Sequence, residues 1–114
     1  MAIIIYHNSR CSKSRGALEL LREADLPHEV HYYLENPLTE RDIRALLKKL
    51  NIPAEELVRK NEAIYKEQYR GKELTEDEWI RILAQHPQLI ERPVVVNGDR
   101  AVIARPPERL HEIL

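Results

Sequence analysis

The chain predicts an α/β fold, built as a βαβ unit and a closing ββα unit with an inserted helical segment over about residues 38–90. Three observations point there. A β-branched run at the start gives way to apolar residues at helical spacing and then to an alternating stretch. The middle of the chain holds two capping-box patterns, each followed by a helical stripe. Near the end, an Asn-Gly pair separates two short apolar runs, the strongest short hairpin signal.

Taken in order, Ala2-Ile3-Ile4-Ile5-Tyr6 reads as a strand buried on both faces. Ala17, Leu20, Leu21 and Ala24 form the stripe of a helix over about Ser14 to Ala24, and Pro27 closes that segment. Glu29 to Leu34 alternates through Val30, Tyr32 and Leu34 as a second strand, parallel to the first through a right-handed crossover. Thr39 with Asp42 opens a helix whose stripe is Ile43, Leu46, Leu47 and Leu50, ending near Asn51. Residues 52 to 73 are broken, with weak helical stretches at Ala54–Val58 and Glu62–Tyr69. Thr75 with Glu78 opens a helix carrying Trp79, Ile82 and Leu83, which stops at His86-Pro87. Pro93–Val96 and Ala101–Ile103 then flank Asn97-Gly98-Asp99-Arg100 as a hairpin, and a last helix from Pro106-Pro107 buries Leu110, Ile113 and Leu114.

That order is the thioredoxin-like, or glutaredoxin-like, arrangement with helices between its halves, in a single domain of residues 1–114. In such a sheet, ligands gather at the carboxyl ends of the parallel strands. Cys11 follows the first strand there. Pro93, opening the third strand, is placed to lie opposite it, with a cis Arg92-Pro93 peptide.

Composition narrows the function. The 18 basic and 19 acidic residues are interspersed and give a formal charge of −1, so there is no sustained basic face for nucleic acid or a membrane surface. No segment is long enough to span a bilayer. One cysteine cannot pair within the chain, which suits a reducing, cytoplasmic setting and a soluble monomer. The histidines and cysteine lack ligand spacing, so no metal site is expected.

A lone cysteine is commonly a small inert hydrophobe. Cys11, however, stands on a strand-to-helix turn among Arg10, Lys13 and Arg15, where the helix dipole and cations favour thiolate over thiol. Ser14 occupies the position of the second cysteine in a Cys-x-x-Cys motif. It can donate a hydrogen bond but cannot form a disulfide, so the site is monothiol. A protonated His7, four residues before the cysteine, would add to the thiolate's stability. Arg59 follows an apolar pair, Arg92 precedes Pro93, and Arg105 ends the last strand; guanidinium forks of this kind suit a tetrahedral oxyanion. Backbone N–H groups at the helix start offer a second anion cradle.

Five ordered segments extend this reading: His7–Arg15, Leu57-Val58-Arg59-Lys60-Asn61, Gln85-His86-Pro87, Glu91-Arg92-Pro93-Val94-Val95-Val96 and Arg105-Pro106. Together they resemble the glutathione- and glutaredoxin-coupled arsenate reductase family. The active-site loop departs from the usual Asn-Pro-x-Cys-Gly-Thr-Ser-Arg pattern, with Ser9 for proline and Ser12-Lys13 for glycine-threonine. The resemblance implies an oxidoreductase in which Cys11 attacks arsenate, His7 and Ser14 favour its thiolate, and Arg59, Arg92 and Arg105 hold the oxyanion. It implies glutathione as co-substrate, glutaredoxin as the resolving partner, and no bound cofactor. Two alternatives share the fold: a glutathione-linked monothiol disulfide reductase, and a transcription regulator that binds RNA polymerase. Phosphatase-like arsenate reductases are excluded, because their Cys-x5-Arg loop would place an arginine where Ala17 stands.

Overall fold

A computed structural model describes residues 3–114. The chain divides into two compact units: residues up to Asn36 together with Arg92–Leu114, and Pro37–Glu91.

The first unit is built on a four-stranded sheet. Strand β1 (Ile3–Tyr6) leads into helix α1 (Ser12–Glu23) and then strand β2 (His28–His31). Ala2, expected to open β1, lies outside the described residues. β1 pairs in parallel with β2, from Ile3 opposite His28 to Tyr6 opposite His31. Strands β3 (Val94–Asn97) and β4 (Arg100–Ile103) complete the order β2-β1-β3-β4, with β3 antiparallel to both of its neighbours. A 3₁₀ helix, Pro107–Ile113, ends the chain. This is the thioredoxin-like arrangement of parallel βαβ followed by ββ and a closing helix.

Period-two alternation sets the core. Ile3 and Ile5 face one side of the sheet with Val95 and Val102, where they pack with Ala17, Leu18 and Leu21 of α1 and Leu110 and Ile113 of the terminal helix. Ile4 and Tyr6, on the other face, are only half-buried, so β1 is less enclosed than its continuous apolar run implied. Gly16 permits the close approach of α1 to the chain end, since a Cβ there would lie 3.1 Å from Pro107 Cγ.

Several expectations shift in detail. α1 stops at Glu23 and Asp25 turns left-handed (φ 54°), which leaves Ala24 exposed, while Leu18 joins the buried stripe. β2 ends at His31, and the amides of Glu35 and Asn36 both donate to the Tyr32 carbonyl. That turn reverses the alternation: Tyr33 is buried, whereas Tyr32 and Leu34 are exposed. The hairpin loop is Gly98-Asp99, one residue later than the Asn-Gly pair suggested. Gly98 takes φ 66° at the first central position, where a type II′ turn requires glycine. Asn97 instead closes the β3–β4 ladder opposite Arg100, and its Nδ2 donates to the Ile113 carbonyl at 2.7 Å. Leu114, expected in the core, is exposed. The Arg92-Pro93 peptide is cis as expected; Arg105-Pro106 is also cis.

The second unit contains helices α2 (Glu40–Leu50) and α3 (Glu76–Gln85), which pack together. Each opens with a complete capping box, Thr39 with Asp42 and Thr75 with Glu78. The buried stripes are Ile43, Leu46 and Leu47 on α2 and Trp79, Ile80, Ile82 and Leu83 on α3. Between them lie a 3₁₀ turn, Ala54–Leu57, and a π-helical turn, Tyr65–Tyr69. Both carboxylate oxygens of Glu76 accept from the Ala54 amide, at 3.0 and 3.1 Å. No helix among the described residues is long and apolar enough to cross a membrane.

Candidate active site

The sheet register assembles the site. With Tyr6 opposite both His31 and Val94, the residues after β1, after β2 and before β3 meet at one edge. The His7 amide donates to the His31 carbonyl (2.9 Å), and the Ala104 amide donates to the Pro93 carbonyl (2.8 Å), which brings the end of β4 to the same edge.

Cys11 is the N-cap residue of α1, in an extended conformation with φ −99° and ψ 122°. An N-cap side chain ordinarily offers an oxygen to the free amides of the first turn. Here the group on offer is sulfur. It closes no cap hydrogen bond of ordinary geometry, yet the Ser14 and Lys13 amides are aimed at it. Burial pushes the Cys11 thiol up. The Ser14 amide, a hydrogen bond from the Arg92 side chain, the Lys13 amide and the Arg92 charge outweigh it, and the thiol sits below its ordinary value.

Asn8 shapes the loop before the cysteine, a role that sequence reasoning missed. Its carbonyl accepts from the Cys11 amide (3.0 Å), its Oδ1 accepts from the Arg10 amide (3.0 Å), and its own amide donates to Ser14 Oγ (3.0 Å). The signal was available, because asparagine bonding to the amide two residues on is a recurrent turn. The amides of Arg10 and Cys11 are engaged by Asn8, while those of Lys13 and Ser14, in the first turn of α1, favour the Cys11 thiolate.

His7 is buried, and its Nδ1 lies 2.6 Å from Ser14 Oγ. Burial, with the charges of Arg22 and Arg15 adding to it, holds its pKa below the usual 6.5. The expected imidazolium is therefore corrected to a neutral ring near pH 7. Its covered position and the two arginine charges both disfavour the cation. His7 meets Ser14 through a hydrogen bond rather than Cys11 through charge.

Arg92 reaches the Cys11 sulfur, and Arg105 Nη1 reaches the Arg92 carbonyl at 3.5 Å, so both arginines stand at the thiol's edge of the sheet. Arg59 belongs to the second unit. There it ends a short antiparallel bridge between Val58 and Ile90, its amide donates to the Leu89 carbonyl at 2.6 Å, and its Nε lies 3.6 Å from Glu62 Oε1. Among the described residues, no three His, Cys, Asp or Glu side chains gather as metal ligands.

A thioredoxin-like sheet with one free cysteine at its first helix start, and arginines at the adjoining strand ends, defines a monothiol member of that fold class. The family follows: the ArsC family model matches residues 6–113, and the chain belongs to the ArsC family. It is 38% identical to an arsenate reductase of Haemophilus influenzae over the whole of both chains. It is 46% identical to an uncharacterized Escherichia coli protein, YfgD, over 96% of this chain and 94% of that one. Among solved structures, an arsenate reductase from Vibrio cholerae superposes with a TM-score of 0.95 at 39% identity, covering 100% of this chain and 98% of that one.

Proposed function

We propose that the protein is an arsenate reductase that draws its electrons from glutathione and glutaredoxin. The observation that carries this reading is Cys11, a free thiol at a helix N-terminus, held toward thiolate by the Ser14 amide and the Arg92 guanidinium. The names of the full-length relatives point to the substrate.

Charge explains why arginines are needed. A thiolate and an arsenate dianion 4 Å apart repel by about 8 kcal/mol at an effective dielectric of 20, a barrier that convergent guanidinium groups offset. Arg92 and Arg105 supply two such groups, and the family pattern adds Arg59. The Cys11 thiolate forms an S–As bond while one arsenate oxygen leaves as water. A glutathione thiolate then attacks the Cys11 sulfur: an S–S bond forms as the S–As bond breaks, its electron pair stays on arsenic, arsenite leaves, and Cys11 and glutathione are left as a mixed disulfide. Glutaredoxin takes up the glutathione moiety and restores Cys11. In sum, arsenate and two thiols give arsenite, one disulfide and water. Ser14 assists at the first step. Its oxygen accepts from the Asn8 amide, and a neutral His7 protonated at Nδ1 would fill the second lone pair, leaving the hydroxyl hydrogen for the thiolate. The setting proposed is the reducing cytoplasm, where the chain acts as a monomer.

The test is arsenite production from arsenate with glutathione and glutaredoxin, with Cys11→Ser as control. Turnover that survives Cys11→Ser contradicts the mechanism. The free, unpaired thiol equally suits glutathione-linked reduction of mixed disulfides. Comparing turnover of arsenate with that of a glutathionylated peptide separates the two.

A further inference from the structure

We propose that the cleft between the His7–Arg10 loop and the Tyr32–Glu35 corner seats the reducing thiol as a short zwitterionic peptide of the glutathione class. The proposal rests on the thiol-dependent reading above and assigns that thiol a binding site.

The cleft measures about 240 Å³ and is bounded by His7–Arg10 on one side and Tyr32, Leu34 and Glu35 on the other. Sites for drug-sized ligands begin at about 300 Å³, so this one suits a smaller group, such as one amino-acid head of a peptide. Its two charges decide what kind of head. Arg10 and Glu35 both line it, and neither side chain makes an ion pair among the described residues. An oxyanion would be repelled by Glu35. A group carrying both an α-carboxylate and an α-ammonium has a partner for each. The apolar surface is concentrated here too: Tyr32 and Leu34 are two of the three exposed large hydrophobic residues among those described.

Both walls are ordered by hydrogen bonds. Asn8 Oδ1 fixes the Arg10 amide, the Glu35 and Asn36 amides close on the Tyr32 carbonyl, and His31 Nε2 meets the Asn36 carbonyl at 2.9 Å. The Tyr32 ring stands edge-on to His7, with centroids 5.7 Å apart. The cleft is thus formed before any ligand arrives, which lowers the cost of binding. Arg10 directly precedes Cys11 in the chain, and the loop that walls the cleft runs into the nucleophile, which does not itself line it.

The experiment titrates the isotopically labelled full chain with S-methylglutathione, which lacks a free thiol and so reports binding apart from chemistry. Amide shifts at Arg10, Leu34 and Glu35 are expected. Glu35→Lys should weaken binding about fivefold, the scale of an exposed ion pair reversed. It should also raise the KM for glutathione by the same factor, leaving kcat and the Cys11 alkylation rate unchanged. Shifts elsewhere, no shifts, or shifts with a reduced dithiol protein alone would overturn the assignment. If S-methylglutathione moves the cleft resonances while arsenate is not reduced, the cleft stands and the proposed reaction falls. If arsenate is reduced without cleft shifts, the reaction stands and the cleft falls.

Discussion

Helices α2 and α3 begin in the same way. A threonine hydroxyl accepts from the amide of the third helical residue, the acid at that residue accepts from the threonine amide, and further acids fill the first turn: Glu40 beside Asp42, and Glu76 and Asp77 beside Glu78. Each device satisfies free amides and offsets the positive end of the helix dipole. Helix α1 has none of this. Its cap residue is Cys11, no hydroxyl or carboxylate closes on its amides, and its first turn holds no acid. The uncompensated amides and dipole of α1 are left to the sulfur. The same physics that stabilises the helices of the second unit supports a reactive thiolate in the first, and the difference is which group occupies the cap.

The largest effect on this contrast comes from Cys11→Ser. Serine is a better cap than cysteine, so the fold should hold or gain up to about 1 kcal/mol, while arsenite production drops by about a thousandfold or more. Urea midpoints and turnover, read together, check both halves. A variant that loses its fold along with its activity would show that α1 does not give up capping for chemistry. Next in size, Arg92→Ala removes both a hydrogen bond and a charge from the sulfur, and kcat/KM for arsenate should fall about a hundredfold. The alkylation profile of Cys11 should move to higher pH in the same variant, and Arg92→Lys should restore part of that movement but not the oxyanion fork.

Thr39→Ala or Thr75→Ala should each cost about 1 kcal/mol in chemical denaturation, with no change in Cys11 reactivity. A shifted alkylation profile in either variant would mean that the two kinds of helix start are not independent. The smallest effect lies in acid. Because the folded pKa of His7 is below 6.5, the unfolded chain takes up this proton first. The neutral ring's contribution to stability is present above about pH 6.5 and lost as pH falls through the folded value. His7→Gln should remove that part of the slope in stability measured from about pH 7 to about pH 4.

The capping boxes of α2 and α3 were legible because they are local: four consecutive residues contain both partners of the reciprocal bond. The β1 strand, the β3–β4 hairpin and the cis Arg92-Pro93 peptide were legible for related reasons, through short-range pattern and the position of a proline at a strand start, whereas the half-burial of Ile4 and Tyr6 was not, because a continuous apolar run reads as enclosed on both faces. Tyr33 was not, since its burial depends on a turn that ends β2 at His31 and reverses the faces. In the site, Cys11, Ser14 and Arg92 could be picked out from helix-start chemistry and strand order. The charge of His7 could not, because it depends on burial and on Arg22, which only the folded helix brings near. Nor could the engagement of the Arg10 and Cys11 amides by Asn8, which sets the loop before the cysteine.

Whether the open start of α1 activates the sulfur can be read from the rate of Cys11 alkylation by iodoacetamide against pH. The comparison is between the native chain and Ser12→Glu, which gives α1 the first-turn acid of its neighbours. The native midpoint should fall below the ordinary thiol value of about 8.5, and Ser12→Glu should move it upward while stabilising the helix by about 0.5 kcal/mol. A native midpoint at or above about 8.5, unmoved by the added acid, would mean that the helix start does nothing for the thiolate.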